Sequence, residues 1–248
     1  MKYVTGLLEG LWSLYAWIVF IVCVLLSLIV VTFVPTLKAR VALTTATSRL
    51  AFRLSGIRVE VTGLDNLPEG HSVVVANHAS YVDGPLLKGF LPARFSFVIK
   101  GEMRNIPIVH FLLRRSGSRF VERFTAAGSA RDARQIVKAA QGGQSLVFFP
   151  EGTFREEPGV GRFRPGAFVA ATRGQMPVVP VSITGTREVL KCGHAMLRRR
   201  PVRIDILPPI PTDDPAFADH RALAERARQR VLANLGEPDL LGRENETY

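Results

Sequence analysis

The chain has 248 residues, enough for one sizeable α/β core without a forced division, and its 32 Lys and Arg against 21 Asp and Glu give a formal charge of +11. That surplus favours polyanionic partners: nucleic acid, an anionic membrane surface or phosphorylated small molecules. Two cysteines, Cys23 and Cys192, lie far apart in different surroundings, which argues against a disulfide scaffold, a zinc cluster or a redox pair.

No charged residue occurs from Gly10 to Leu37. As a helix this stretch would reach about 42 Å, more than the ~30 Å hydrocarbon core of a bilayer requires. Trp12, Tyr15 and Trp17 cluster at its start like an interfacial aromatic belt, and Pro35 ends or bends it. Lys38, Arg40, Arg49 and Arg53 follow, against Lys2 and Glu9 before it, so the basic flank predicts a catalytic domain facing the cytoplasm at the inner (cytoplasmic) membrane. A signal peptide would have a shorter apolar region and a cleavage site. Spanning and lying in one leaflet both stay open. Residues 38–54 alternate basic residues with Val41, Leu43, Leu50 and Phe52, and fit either an amphipathic helix on the headgroups or a connecting helix packed on the domain.

After Gly56 short β-branched or aromatic runs recur at 57–61, 72–76, 95–99, 145–149, 178–183 and 202–206, with helix-like stretches at 85–90, 106–115 and 130–141. The alternation predicts an α/β fold: a mixed, mostly parallel sheet flanked by helices, with an N-terminal hydrophobic membrane helix. Pro208, Pro209 and Pro211 end the last strand, and 214–235 reads as a C-terminal helix. The expected organisation is N-terminal membrane-anchoring helices over 1–55, a catalytic domain over 56–240 and a loose tail over 241–248.

Several chemistries find no seat. There is no Gly-x-Ser-x-Gly elbow, no phosphate-cradling Gly-x4-Gly-Lys, no dinucleotide fingerprint and no His-Glu-x-x-His pair among the five histidines. Neither a metal nor a resident cofactor is expected. Four other blocks do carry chemistry. In Asn77-His78-Ala-Ser-Tyr-Val-Asp83, a base and a carboxylate five residues apart follow an apolar strand, which suits a histidine that takes a proton from an alcohol while the aspartate holds its ring. Gly117-Ser-Arg-Phe120-Val-Glu-Arg123 could aim the Arg123 guanidinium at a phosphate from a short extended segment. Phe149-Pro150-Glu151-Gly152-Thr153-Phe154-Arg155 sets a carboxylate, a glycine and a hydroxyl at a strand's carboxyl end, where open α/β sheets bind ligands. Glu151, after so apolar a run, needs a partner. Val179-Pro-Val-Ser-Ile-Thr-Gly185-Thr186 reads as a core strand ending in a small-residue turn, shaping the pocket floor.

The ordered set Asn-His-x4-Asp, Gly-x-x-Phe-x-x-Arg, Phe-Pro-Glu-Gly-Thr and Val-Pro-Val-x-Ile-x-Gly-Thr resembles the glycerolipid acyltransferases typified by bacterial 1-acyl-sn-glycerol-3-phosphate acyltransferase, over roughly Val59 to Ile206. The resemblance implies an α/β enzyme that moves an acyl chain from acyl-CoA or acyl carrier protein to the sn-2 hydroxyl of 1-acyl-sn-glycerol 3-phosphate. It implies His78 as general base with Asp83 its partner, Gly117, Phe120 and Arg123 in the phosphate block, and Glu151, Gly152, Thr153 and Arg155 at the substrate. Many relatives carry arginine directly after the threonine of the third block; here Phe154 intervenes, which leaves the role of Arg155 and the head group open. Arg162, Phe163, Arg164 and Gly166 resemble the basic loop that follows. The implied partners are a lysophospholipid acceptor, acyl-CoA or acyl carrier protein and an anionic membrane surface, with no nucleic acid. An acyltransferase for another lysolipid, such as lysophosphatidylethanolamine or a lyso-aminolipid, and a non-catalytic lipid-binding membrane module are the alternatives.

Overall fold

The computed structural model describes residues 2–122, 126–154 and 156–241, apart from the side chains of 2–5 and 126–130. Helix α1 (Lys2–Phe33) runs through the apolar stretch and stops before Pro35, which has no N–H to continue the ladder and pushes its predecessor out of the helical region. Thr36 then caps α2 (Leu37–Ser55) by accepting the Ala39 N–H. One flank of α2 is built into the domain. Phe52 and Ala51 are buried, Ser48 Oγ donates to the Pro85 carbonyl at 2.7 Å, and Arg49 Nε donates to the Gly89 carbonyl at 2.8 Å. The other flank leaves Leu37, Leu43, Leu50 and Leu54 exposed. Residues 38–54 are therefore a packed connecting helix that also carries an apolar outer face.

Seven strands follow: β1 (Val59–Thr62), β2 (Val73–Ala76), β3 (Ser96–Lys100), β4 (Arg119–Val121), β5 (Leu146–Phe148), β6 (Val178–Thr184) and β7 (Val202–Ile206). They form one sheet in the order β1-β7-β6-β2-β5-β3-β4, parallel at every pairing except β6 with β7. Between and after them come α3 (Asp83–Phe90), α4 (Pro107–Arg115), α5 (Ala126–Gln141), α6 (Gly166–Gly174), α7 (Thr186–Val189) and α8 (His220–Leu235). Strands buried on both faces read as continuous apolar runs, and Val73 to Ala76 is such a run. Val74 and Ala76 enter one core with Ala16 of α1, Phe52 of α2 and Leu86 and Leu87 of α3. Val73 and Val75 enter the other with Ile136 of α5, Phe168 of α6 and Leu223 and Val231 of α8. A fully buried side chain of this kind contributes roughly 1.5–3 kcal/mol.

The expected α/β sheet is present, with differences of physical origin. β4 is short and lies at the sheet edge, paired only with β3. α6 has no apolar stripe of helical period to announce it. Its small residues Ala167, Ala170 and Ala171 are helical because they fit closely between α5 and α8. The expected helix over 214–235 divides at Asp219, which caps α8 by accepting the Arg221 N–H, while Asp214 and Pro215 start a separate short turn. The tail lies, from residue 242 onward, outside the described residues.

Topology sets the site. From β2 the chain leaves towards β3 on one side, while β6 lies on the other, so the strand order reverses around β2. Parallel sheets open a crevice beyond the carboxyl ends of their strands at such a reversal.

Two charged groups carry testable consequences for stability. Lys88 of α3 has neither a hydrogen-bond nor an ion-pair partner among the described residues, and burial pulls its pKa from 10.5 down to about 8. Between these values the unfolded chain holds a proton that the folded chain does not, so stability rises with pH through the window, and the full cost of the buried charge is present below it. Lys88→Met should remove that rise and add roughly 1–3 kcal/mol at pH 7, read from thermal melts between pH 7 and 10.5. Arg228 of α8 is buried and forks onto Asp239 at 2.8 and 2.9 Å and onto Glu225 at 2.9 Å. Burial works against its charge, but the hydrogen bonds to Glu225 and Asp239 outweigh that and raise its pKa. Arg228→Ala should cost about 2–3 kcal/mol in denaturant unfolding, because the two acids it joins are themselves half exposed.

Candidate active site

The site is built at the carboxyl end of β2. Asn77 continues the strand with its side chain: Nδ2 donates to the Ile183 carbonyl at 3.0 Å, and Oδ1 accepts the Ile183 N–H at 2.7 Å. This amide fork stands in for one more rung of ladder to β6 and fixes where the chain leaves the sheet. His78 follows at once. Its Nδ1 lies 2.8 Å from Oδ2 of Asp83, the first residue of α3, whose side chain is fully buried. The same oxygen accepts the N–H groups of Ala79 at 2.7 Å and Ser80 at 2.8 Å. The four-residue spacing has a physical reason: a shorter turn could not wrap two backbone donors around the carboxylate and still return it to the ring.

A carboxylate acceptor assigns the Nδ1 proton to the imidazole, which leaves the lone pair on Nε2. Nε2 has no hydrogen-bond partner among the described residues, and the side chain is 19% exposed. The ring is held from both sides. Phe149 stacks on it at 4.3 Å with 22° between planes, and Phe154 meets it edge-on at 4.7 Å. Phe154 in turn meets the exposed ring of Tyr81 at 4.6 Å. The residue that interrupts the family's Thr-Arg pair is thus an aromatic wall beside the histidine.

Glu151 finds its partners in the backbone. Oε1 accepts the His78 N–H at 2.9 Å and Oε2 accepts the Gly161 N–H at 3.0 Å. Burial pushes the carboxyl's pKa up, and these two hydrogen bonds pull against it. Glu151 therefore ties the histidine's own peptide to the loop after the third block. Gly152, at φ 83°, makes the turn that sends the chain there, a conformation that side chains disfavour. The loop is held from outside as well. Gly159 N–H donates to Glu237 Oε2 at 2.7 Å, Val160 forms a bridge with Asp239, and Arg187 of α7 donates to the carbonyls of Glu156 and Glu157. α7 follows Gly185, where a Cβ would stand 2.2 Å from the Pro201 carbonyl oxygen, so the fourth block's glycine is sterically required.

The structure brings His78, Asp83, Glu151 and Gly152 together, with Thr153 exposed beside them. Gly117 lies elsewhere. It precedes β4, at the end of the sheet opposite His78, where its carbonyl accepts Ser96 Oγ at 2.7 Å and where a Cβ would touch Leu37 and Val41 of α2. Phe120, within β4, packs against His110 at 5.0 Å and under Arg104. A β-strand rises about 3.3 Å per residue, so β4 carries the chain away from Gly117 towards the site edge. Arg123 and Arg155 lie outside the described residues. Of the basic loop, Phe163 is buried against Phe168 while Arg162 and Arg164 are exposed. Sequence reasoning missed the roles of Asn77, Tyr81, Phe149 and Phe154 around the histidine. It also missed Lys100, an exposed cation that ends β3 at the same edge of the sheet. The signal for Lys100 was a lone basic residue closing an apolar run.

Comparison with known proteins bears on the family and the fold. The family model described as Acyltransferase matches residues 58–184. A chloroplastic 1-acyl-sn-glycerol-3-phosphate acyltransferase of Brassica napus is 30% identical over 62% of this chain and 45% of its own length. The Saccharomyces cerevisiae enzyme of that name is 27% identical over 73% of this chain and 61% of its own. The chain thus spans about half the length of the Brassica relative. The crystal structure of the 1-acyl-sn-glycerophosphate acyltransferase of Thermotoga maritima superposes with a TM-score of 0.75 at 25% identity, covering 95% of this chain and 97% of that one. With its strand order, its buried His78–Asp83 pair and a family match across half its length, the chain belongs to the Acyltransferase family.

Proposed function

We propose that the protein is a membrane-bound O-acyltransferase that moves a fatty acyl chain from the thioester of coenzyme A or acyl carrier protein to the sn-2 hydroxyl of 1-acyl-sn-glycerol 3-phosphate, yielding phosphatidic acid. The observation that carries this reading is the His78–Asp83 pair, with Nε2 unpartnered at the crevice beyond β2. Nε2 takes the proton of the acceptor hydroxyl as its oxygen attacks the thioester carbonyl. The carbon–sulfur bond of the resulting tetrahedral intermediate breaks, and the proton passes from the imidazolium to the leaving thiolate. Asp83 stabilises the imidazolium, and the face of Phe149 adds a cation–π contact. Direct transfer needs no acyl-enzyme. Lys100, exposed at the carboxyl end of β3, supplies positive charge for the acceptor phosphate.

The N-terminal helices support attachment to one leaflet. Gly6–Phe33 is long and apolar enough to cross a bilayer. Yet α1 is tied to the domain at both ends. Trp12 Nε1, Tyr15 Oη and Trp17 Nε1 donate to the carbonyls of Ser55, Leu54 and Ala195, and Arg115 Nε donates to the Val31 carbonyl. These anchors lie about 21–29 Å apart along the helix, so α1 lies against the domain instead of leading away from it. Leu7, Leu11, Leu14, Ile18, Ile21, Leu25 and Ile29 form its exposed face. With this face in lipid, a lipid acceptor reaches the crevice without leaving the bilayer. Phe154 favours one second reading, in which the acceptor is another lysolipid whose head group lies against an aromatic wall and not against an arginine.

The test is acyl transfer by detergent-solubilised protein to a panel of lysolipids, with acyl-CoA and acyl carrier protein as donors. His78→Ala should lower kcat by about 10²–10⁴, and Asp83→Asn should approach the same loss with the fold retained. Product from another lysolipid alone would replace the acceptor and keep the mechanism. Glu151→Gln sets an amide NH₂ against one of two backbone donors, so it should lower kcat and destabilise the fold by about 1–3 kcal/mol, with little change in acceptor KM. A rise in acceptor KM at unchanged kcat would instead make Glu151 a direct substrate ligand.

A further inference from the structure

We infer that α4 is a second lipid-contacting element, which places Ile108 and Phe111 among the acyl chains of an anionic bilayer beside the N-terminal helices; the inference rests on the membrane-bound reading above. α4 carries Ile108, Val109, Phe111, Leu112 and Leu113, yet none of its residues is buried. Ile106, Ile108 and Phe111 are 47%, 64% and 43% exposed, and Ile108 and Phe111 lie on one side of the helix. Scattered exposed apolar residues need no explanation, but a contiguous group of large ones marks a contact surface. The opposite side is held to the protein through His110, whose ring meets Phe120.

Continuity with α1 identifies what covers this face. The Arg115 guanidinium donates to the Val31 carbonyl at 2.9 Å and lies 5.9 Å from the centre of the Phe111 ring, so one side chain joins the two helices. Around Val31, α1 exposes Ile29 and Phe33, the latter 78% accessible. The apolar face of α4 therefore extends the surface that α1 presents to lipid. Charge agrees: α4 has no acidic residue and Arg114 and Arg115 end it, and an apolar centre with a basic end suits an anionic interface. The consequence is mechanical. Contact along α1 leaves rotation about its axis free. A second contact at α4, which starts just after Lys100 at the crevice edge, removes that freedom and sets the edge at headgroup depth.

The experiment is co-sedimentation of the full chain with vesicles of phosphatidylcholine and phosphatidylglycerol, comparing wild type with I108E/F111E. Both positions are exposed, so the variant should melt like the wild type and retain its transfer activity in detergent micelles. Its vesicle affinity should fall about tenfold or more. Equal binding of variant and wild type would overturn the role of α4 alone, whereas a wild type that ignores vesicles would overturn the membrane-bound reading with it. A nitroxide at position 111 in a Cys192→Ser background gives a second readout. It should become accessible to oxygen and shielded from a water-soluble nickel complex when vesicles are added. Shielding from both without vesicles would point to a second copy and overturn the proposal.

Discussion

The site depends on one buried carboxylate. Asp83 is the first residue of α3 and is enclosed by the core, and its Oδ2 gathers two backbone N–H groups and the ring of His78. A buried charge is tolerated only where donors surround it, and here those donors belong to the turn that carries the histidine. The start of α3 adds the favourable end of a helix dipole. Folding the turn and orienting the imidazole are thus a single event. The rest of the domain has to bring β2 and α3 into the relation that this turn requires, and the core of Val74, Ala76, Leu86 and Leu87 does so.

A second tier of contacts holds the histidine from the side of β5. Glu151 joins the His78 peptide to the Gly161 peptide, and the loop around Gly161 is pinned by Glu237, Asp239 and Arg187. Arg228 fastens the same C-terminal segment to α8 through Asp239. The chain's last described turn therefore supports its first chemical block, through partners on both layers of helices. Glu151 thereby braces the backbone that carries the histidine.

The helices that precede the domain belong to it as well. Ala16 and Phe52 are members of the same core as β2, Trp12 reaches the Ser55 carbonyl at the end of α2, and Trp17 reaches the Ala195 carbonyl on the domain. The outer face of α1 is as apolar as its inner one, while α2 mixes exposed leucines with Lys38, Arg49 and Arg53. The N-terminal helices thus complete a protein core on one side and present an apolar surface on the other.

Local features were legible in the amino-acid order. The pairing of His78 with Asp83 was readable because five residues of chain form one turn, whose geometry is covalent and short-range. The apolar first helix was readable because composition alone fixes a preference for lipid or core. β2 showed as a run of β-branched residues because burial on both faces leaves no polar positions. What the tertiary structure decided lay in pairs far apart in the chain. Glu151 meets the peptide of a residue 73 positions earlier, and Asn77 meets one 106 positions later. Gly117 falls at the end of the sheet away from the histidine because β4 stands between it and the crevice. Strand order makes such assignments. It emerges only when both faces of the sheet are packed at once, so no local window of sequence contains it.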